Sequence, residues 1–448
     1  MNVKVRFPPS PTGFCHVGTA RMAILNYLFA RKHGGIVIFR SEDTDKERSR
    51  PEFETDIIES LSWLGLSWDA FYRQSERTTL YTTVLEKLIA EGKAYVSDEE
   101  SKKDPGVRVS PVRLKNPGSV VTFTDLIRGE ISFDTTELKD FVIARSITDP
   151  LYHLAVVLDD SDMGITHIIR GEDHISNTPR QILIQEALGI PRPLYAHYPL
   201  HLSADRAKLS KRTGDVSVRS YREKGFLSGA LLNYLAVLGW TPPSGKEILS
   251  LNEMISEFEI ANIHKSGAVF DIDKLRWFNR EYLLMLSSDE FDHEALMILK
   301  KAAEERKLPW NHEVAKRLAL LIKERIHVWD DVRTQVRDGE FDFFFADPSP
   351  DVGLIPQKGV STEETLRHLV KTSEIIGSMP DAAFTAEDTV KDQVFAYATI
   401  QGRAAVLWPL RYSLTGLLRS PDPFAVMHAI GKDATLRRLE TARSLLSV

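Results

Sequence analysis

The chain has 448 residues, of which 43% are hydrophobic and 27% charged, and a formal net charge of −6. That length suggests about three domains, and the composition excludes a disordered or collagen-like chain. The longest apolar run, Ala230 to Trp240, is broken by Asn233 and falls far short of the ~18 residues a membrane span needs, so no membrane partner is expected.

Met1 to Phe7 alternates apolar and basic residues without the apolar core of a signal peptide, which predicts a cytoplasmic protein. The single cysteine, Cys15, excludes a disulfide framework and any multi-cysteine zinc or iron–sulfur site. It reads as a small, partly buried residue beside a functional loop. The charge is uneven: Gln401 to Val448 holds seven basic residues against three acidic ones, which leaves a nucleic-acid partner open.

Val3, Val5 and Phe7 alternate as a first strand, and a loop, Pro8-Pro-Ser-Pro-Thr-Gly13, follows. Ile24, Tyr27, Leu28 and Arg31 sit at helical spacing, with Gly34-Gly35 as the stop. Ile36 to Arg40 reads as a strand buried on both faces. Strand, loop, helix and strand make a βαβ unit and imply a parallel sheet. Apolar helices follow at Ile57–Leu64 and Tyr81–Leu88. A polar stretch from Val96 to Pro117 and short strands at Val120–Phe123 and Glu130–Phe133 suggest a β-containing insertion. The parallel sheet is expected to resume with strands at Tyr152–Leu158 and Ile165–Arg170, and Thr178-Pro179 to start a helix. Helical patterning dominates from Ser228, and Ala346 to Gly353 reads as a linker dividing the helical half. The expected class is α/β: a split Rossmann-type parallel-sheet domain with a β-containing insertion, followed by α-helical C-terminal domains.

Two elements carry chemistry. The loop from Pro8 to Thr19 places backbone N–H groups and a helix N-terminus before a ligand, a geometry that suits phosphate. Within it Gly18 permits close approach, and the His16 imidazole can donate to a phosphate oxygen. The second is Lys208-Leu-Ser-Lys-Arg212, whose cations can stabilise charge building on a leaving pyrophosphate. Taken singly, the first also fits a structural turn and the second a solvated basic loop. Glu42, Asp43 and Asp45 after the buried strand fit a helix cap as well as a binding role, Asp159-Asp160 fits a turn, and Tyr152 fits a core aromatic.

Together the His-x-Gly loop and KLSKR resemble the signature of class I aminoacyl-tRNA synthetases. The chain resembles in particular the bacterial-type glutamyl-tRNA synthetases. The resemblance rests on Arg6-Phe-Pro-Pro-Ser-Pro-Thr-Gly13, Glu42-Asp-Thr-Asp45, Tyr152 to Asp160, Met163 to Thr166, Ile169 to His174 and KLSKR. It extends through Val269 to Trp277 and Trp408 to Gly416, so it spans nearly the whole chain. It implies a glutamate–tRNA ligase that activates L-glutamate with ATP and transfers it to the terminal adenosine of tRNA(Glu). By position, Arg6 and Arg170 would face the side-chain carboxylate of glutamate, Glu42 its ammonium, and Ser10 and Tyr152 the same pocket. His16 and Gly18 would receive ATP, and Lys208 and Lys211 its phosphates; His16, Lys208 and Lys211 are the expected catalytic residues. Mg²⁺ would arrive with ATP, with no zinc and no other metal, in a monomer. The implied domains are 1–77 with 147–205 (catalytic), 78–146 (a shortened acceptor-stem-binding insertion), 206–287 (KLSKR loop and stem contact), and 288–370 and 371–448 (anticodon binding). Other readings stay open at this point: a form that also charges tRNA(Gln), a glutaminyl-tRNA synthetase, a shorter synthetase-like enzyme modifying a tRNA base, and an inactive tRNA-binding paralogue.

Overall fold

The computed structural model describes residues 2–101, 104–203, 216–385 and 387–447. The chain forms two compact units, Met1–Asn279 and Arg280–Val448.

The first unit begins with β1 (Lys4–Phe7), α1 (Val17–Lys32), β2 (Ile36–Ser41), α2 (Pro51–Trp63), β3 (Ala70–Arg73) and α3 (Thr78–Ala90). β1 pairs in parallel with β2, and β2 with β3. The return from α1 into β2 is tight: a Cβ on Gly35 would lie 2.5 Å from the Val3 carbonyl oxygen, so only glycine lets the strands meet there. The sheet resumes after the insertion with α4 (Tyr152–Asp162), β9 (His167–Gly171), α5 (Thr178–Leu188) and β10 (Leu194–Tyr198). β9 and β10 are parallel, and the Thr166 N–H donates to the Lys4 carbonyl at 2.9 Å, which sets β9 beside β1. The parallel strands therefore run β3-β2-β1-β9-β10.

Residues Tyr152–Leu158, expected as a strand, form the first two turns of α4. Leu154 to Asp160 are buried without a break, so the run lacks the polar positions that reveal a helical period. For the same reason Asp159 and Asp160 lie on a buried helix and not in a turn.

The insertion contains β4 (Ala94–Val96), β5 (Val112–Leu114) and β8 (Phe141–Ser146), joined as an antiparallel sheet, and the hairpin β6 (Val120–Asp125) and β7 (Gly129–Asp134). Asp125 Oδ1 accepts the backbone N–H groups of Ile127 and Arg128, both at 2.9 Å, and Gly129 takes φ +86°, the left-handed residue such a turn needs. The hairpin joins the parallel sheet where Asp125 pairs with Tyr195 of β10. One core holds both regions: Val112, Phe123 and Ile143 of the insertion pack with Leu158, Ile168 and Ile182. After residue 215 the unit adds α6 (Val218–Glu223), α7 (Ser228–Val237) and α8 (Leu251–Glu257).

The second unit is helical: α9 (Ser288–Glu305), α10 (His312–Lys323), α11 (Trp329–Arg337), α12 (Thr362–Ser378), α13 (Glu387–Gln401), α14 (Arg403–Thr415), α15 (Pro423–Ile430) and α16 (Lys432–Leu446). Position 370/371 falls inside α12. The Ala346–Gly353 stretch is bonded to the last helix. Asp347 accepts from Arg437 Nε at 2.8 Å and from Arg438 Nε at 2.9 Å, and Arg438 Nη1 donates to the Leu414 carbonyl at 2.8 Å. Two of the seven cations after Gln401 are thus committed to one carboxylate, and Arg438 is buried.

Hydrogen bonds from Arg437 and Arg438 outweigh burial and hold the Asp347 carboxyl down, from 3.8 to about 2. Its contribution to stability should be full above pH 3.8 and fade as the pH falls towards 2. Asp347→Ala should destabilise the helical unit by about 1–3 kcal/mol at neutral pH, because it strips a buried guanidinium of an acceptor. An unshifted urea midpoint would show that the contact contributes nothing.

Candidate active site

The loop after β1 is pinned to the end of β2: the Glu42 N–H donates to the Pro9 carbonyl at 2.9 Å and the Arg50 N–H to the Pro11 carbonyl at 3.0 Å. It delivers His16 to the N-cap of α1, where Nδ1 accepts the Gly18 N–H at 2.9 Å. With Nδ1 accepting, the proton of a neutral ring sits on Nε2. A Cβ on Gly18 would come within 3.2 Å of that ring nitrogen, so a larger residue would press on the cap. The Cys15 N–H donates to Asp56 at 2.7 Å, and its buried thiol is pushed far up by burial and by Asp56, which leaves it inert. Residues 216–218 run alongside this turn: the Val17 N–H donates to the Val216 carbonyl and the Val218 N–H to the Cys15 carbonyl, both at 2.9 Å.

Beside this turn lies a cavity of about 380 Å³. Arg6, Ser10, His16, Gly18, Glu42, Tyr152 and Arg170 all line it, together with Arg21, Asp173, His174, Tyr198 and His201. Beneath it is a cluster of buried charge. Asp160 Oδ1 accepts from Arg40 Nη1 at 2.7 Å and from Arg6 Nε at 3.1 Å, while Arg40 Nη2 donates to Glu42 Oε1 at 2.9 Å. Asp159 accepts from Arg77 Nε at 2.7 Å, and from Gln74 Nε2 and the Tyr81 hydroxyl at 2.9 Å each. Burial works against charge here, and pairing overcomes it for three groups: Asp160 stays below the usual carboxylate range, and Arg40 and Arg77 lie above the usual guanidinium value. For Glu42 burial wins over Arg40, and its pKa lies above the ordinary 4.5.

Arg170, which lines the same cavity, is buried. Its Nε donates to His197 Nε2 at 3.1 Å and its Nη2 to the Thr178 hydroxyl at 2.7 Å. Burial lowers the Arg170 pKa. Arg6 Nη1 and Arg170 Nη1 are buried and have no hydrogen-bond partner among the described residues. The Tyr152 hydroxyl lies 3.2 Å from His174 Nδ1, and burial, with Arg170 nearby, pushes His174 down to about 4, so that ring is neutral.

The structure thus brings Arg6, Ser10, His16, Gly18, Glu42, Tyr152 and Arg170 to one cavity, while Lys208 and Lys211 lie outside the described residues. Asp43 takes a different place: it accepts the Ser75 N–H at 2.8 Å and the Ser75 hydroxyl at 2.6 Å, fastening the end of β2 to the turn after β3. Sequence reasoning missed Arg21, Arg40, Asp160, His174 and His201. Arg40 and Asp160 had a signal: a charge at the end of a run buried on both faces must meet an opposite charge. Among the described residues, no group of three or more His, Cys, Asp or Glu is placed to hold a metal ion. No described helix is long and apolar enough to cross a membrane.

Residues 2–104 and 100–277 match the family "tRNA synthetases class I (E and Q), catalytic domain", and residues 293–443 match "Anticodon binding domain". The chain belongs to the class I tRNA synthetases (E and Q). It is 47% identical over 335 residues to the glutamate–tRNA ligase of Aquifex aeolicus, covering 67% of this chain and 71% of that one. It is 36% identical to the glutamate–tRNA ligase of Heliobacterium modesticaldum, covering 100% of this chain and 98% of the other. Among solved structures it is similar to a glutamate tRNA ligase from Elizabethkingia meningosepticum in complex with its amino acid. There the TM-score is 0.86 at 32% identity, and 99% of each chain is covered.

Asp160→Ala would leave two buried guanidinia without their shared acceptor, and should destabilise the first unit by about 3–5 kcal/mol. Denaturant unfolding measures this directly; a loss below 1 kcal/mol would mean that water already screens the cluster.

Proposed function

We propose that the protein is a glutamate–tRNA ligase that joins L-glutamate to ATP as glutamyl-adenylate and passes the glutamyl group to the terminal adenosine of tRNA(Glu). The observation that carries the reading is that Arg6 and Arg170, each with a buried Nη1 that has no partner among the described residues, line one cavity together with Glu42. Unspent guanidinium donors, which Arg21 on the same cavity also carries at Nε and Nη2, together with the Glu42 carboxylate, complement an amino acid with an acidic side chain and an ammonium group. Arg6 and Arg170 take the side-chain carboxylate, Glu42 takes the ammonium, and Ser10 and Tyr152 complete the pocket.

The nucleotide lies at the N-terminus of α1. Gly18 allows its close approach, and the Nε2–H of His16 donates to a phosphate oxygen. Lys208 and Lys211 hold the remaining phosphate charge, with Mg²⁺ accompanying ATP and no resident metal. The α-carboxylate of glutamate attacks the α-phosphorus, the bond to pyrophosphate breaks, and a terminal ribose hydroxyl of the tRNA then attacks the carbonyl and releases AMP. The first step demands no protein base, because the attacking carboxylate is already an anion, and orientation and charge stabilisation suffice; in the second the hydroxyl proton leaves with the departing AMP phosphate. The helical unit supplies the anticodon contact. A cytoplasmic, monomeric enzyme belongs to the same proposal, since tRNA is its acceptor.

ATP–pyrophosphate exchange with glutamate, ATP and tRNA, followed by aminoacylation of purified tRNA(Glu) and tRNA(Gln), tests the reading. Glutamine should not be activated at millimolar concentration, because its amide N–H₂ meets guanidinium donors and leaves them unpaired. Comparable kcat/KM for the two amino acids would overturn the pocket assignment. Lys211→Ala should slow adenylate formation ~100-fold or more, the effect of losing one charge-stabilising donor. Full exchange activity in that variant would remove the loop from the reaction. Acid should weaken glutamate use early: protonating Glu42 removes the ammonium acceptor, so KM for glutamate should climb as the pH falls, starting above 4.5. A flat KM down to that pH would take Glu42 out of the binding site.

A further inference from the structure

Arg6 and Arg170 are held by opposite means. Arg6 has a carboxylate partner, since Asp160 accepts from its Nε at 3.1 Å. Arg170 has none: among the described residues no aspartate or glutamate forms an ion pair with it, and its two bonded nitrogens go to an imidazole and a hydroxyl. The imidazole is that of His197 on β10, which is fully buried. Its Nδ1 lies 2.6 Å from Asp125 Oδ2, and the same oxygen accepts the His197 backbone N–H at 3.0 Å.

This arrangement dictates where the ring proton sits. A guanidinium only donates, so the nitrogen facing Arg170 Nε must be bare. The ring proton is therefore on Nδ1, towards Asp125. An imidazolium would set an N–H against an N–H. Burial lowers the His197 pKa, and Arg170 adds to that effect against the pull of Asp125.

We infer that Asp125 and His197 form a positioning relay that holds Arg170 through a neutral acceptor and so leaves its entire charge, and its Nη1, to the side-chain carboxylate of the substrate. The inference rests on the proposed glutamate-binding role of Arg170. A carboxylate at the place of His197 would orient the guanidinium equally well, but it would also neutralise it, and the cavity would lose its demand for an anion. His197 therefore acts on amino-acid choice through Arg170, without contact to the substrate, and Asp125 acts by fixing its tautomer. Asp125 reaches this position from the hairpin of the insertion, while His197 and Arg170 sit on neighbouring strands.

The test uses the full chain in ATP–pyrophosphate exchange with tRNA present, comparing wild type, His197→Leu and His197→Gln. His197→Leu should raise KM for glutamate at least tenfold, leave KM for ATP within twofold, and narrow the preference for glutamate over glutamine at least tenfold. His197→Gln keeps a neutral carbonyl acceptor for Arg170 Nε and should recover most of the loss. An unchanged glutamate KM in His197→Leu, or an equal rise in both KM values, overturns the relay. Since replacing a buried histidine can unfold the sheet, ¹⁵N NMR of histidine-labelled wild type gives an independent reading. A neutral His197 with its proton on Nδ1 supports the relay, and a proton on Nε2 or a doubly protonated ring overturns it. A wild type inactive with glutamate would instead defeat the proposed function itself. That outcome is distinct from an active wild type matched by His197→Leu, which defeats the relay alone.

Discussion

A single carboxylate oxygen, Asp160 Oδ1, accepts from guanidinium groups on two neighbouring strands, and the floor of the cavity depends on it. Arg6 comes from β1, Arg40 from β2 and Asp160 from α4, so the contact ties two strands and a helix at one point. Removing such charges from water costs several kcal/mol per ion, and only close pairing offsets it. The cluster therefore accepts little displacement. Arg40 spends Nη1 on Asp160 and Nη2 on Glu42, while Arg6 keeps an Nη1 with no partner among the described residues. Positive charge beneath the cavity is thus partly neutralised and partly kept, and the kept part is held at fixed positions.

The parallel strands at Lys4–Phe7 and Ile36–Ser41 were legible because their alternation and apolar runs are short and sharply bounded by Pro8 and Gly35. α4 was not, because burial on every side removed the polar positions that distinguish a helix from a strand. Seven expected site residues meet at one cavity because they lie in motifs that carry chemistry at their own positions. The supporting residues carry no such mark. Asp125 and His197 are 72 positions apart, and nothing local to either announces the other. Arg40 was readable only as the end of an apolar strand, although its burial demanded a counter-charge.

Charge counting shows the same limit in the helical unit. A tally of cations after Gln401 treats each as surface, yet Arg438 is buried and shares Asp347 with Arg437. A basic residue can serve a nucleic acid only when its own fold has not already taken it. Composition reports how many charges exist, while pairing reports how many are left for a partner.

The hairpin in the insertion has a consequence for how the length of this chain can change. From Asp98 to Ser110 the described residues are exposed or half-buried, so added or lost residues there would disturb little packing. The strands at Val120–Asp125 and Gly129–Asp134 are different. They lie in one register, and a slip of one residue would turn every side chain to the other face. Asp125 would leave His197, and Arg170 would lose its support although no residue of the cavity had been altered. Growth and shrinkage are therefore free in the outer part of the insertion and forbidden at its root.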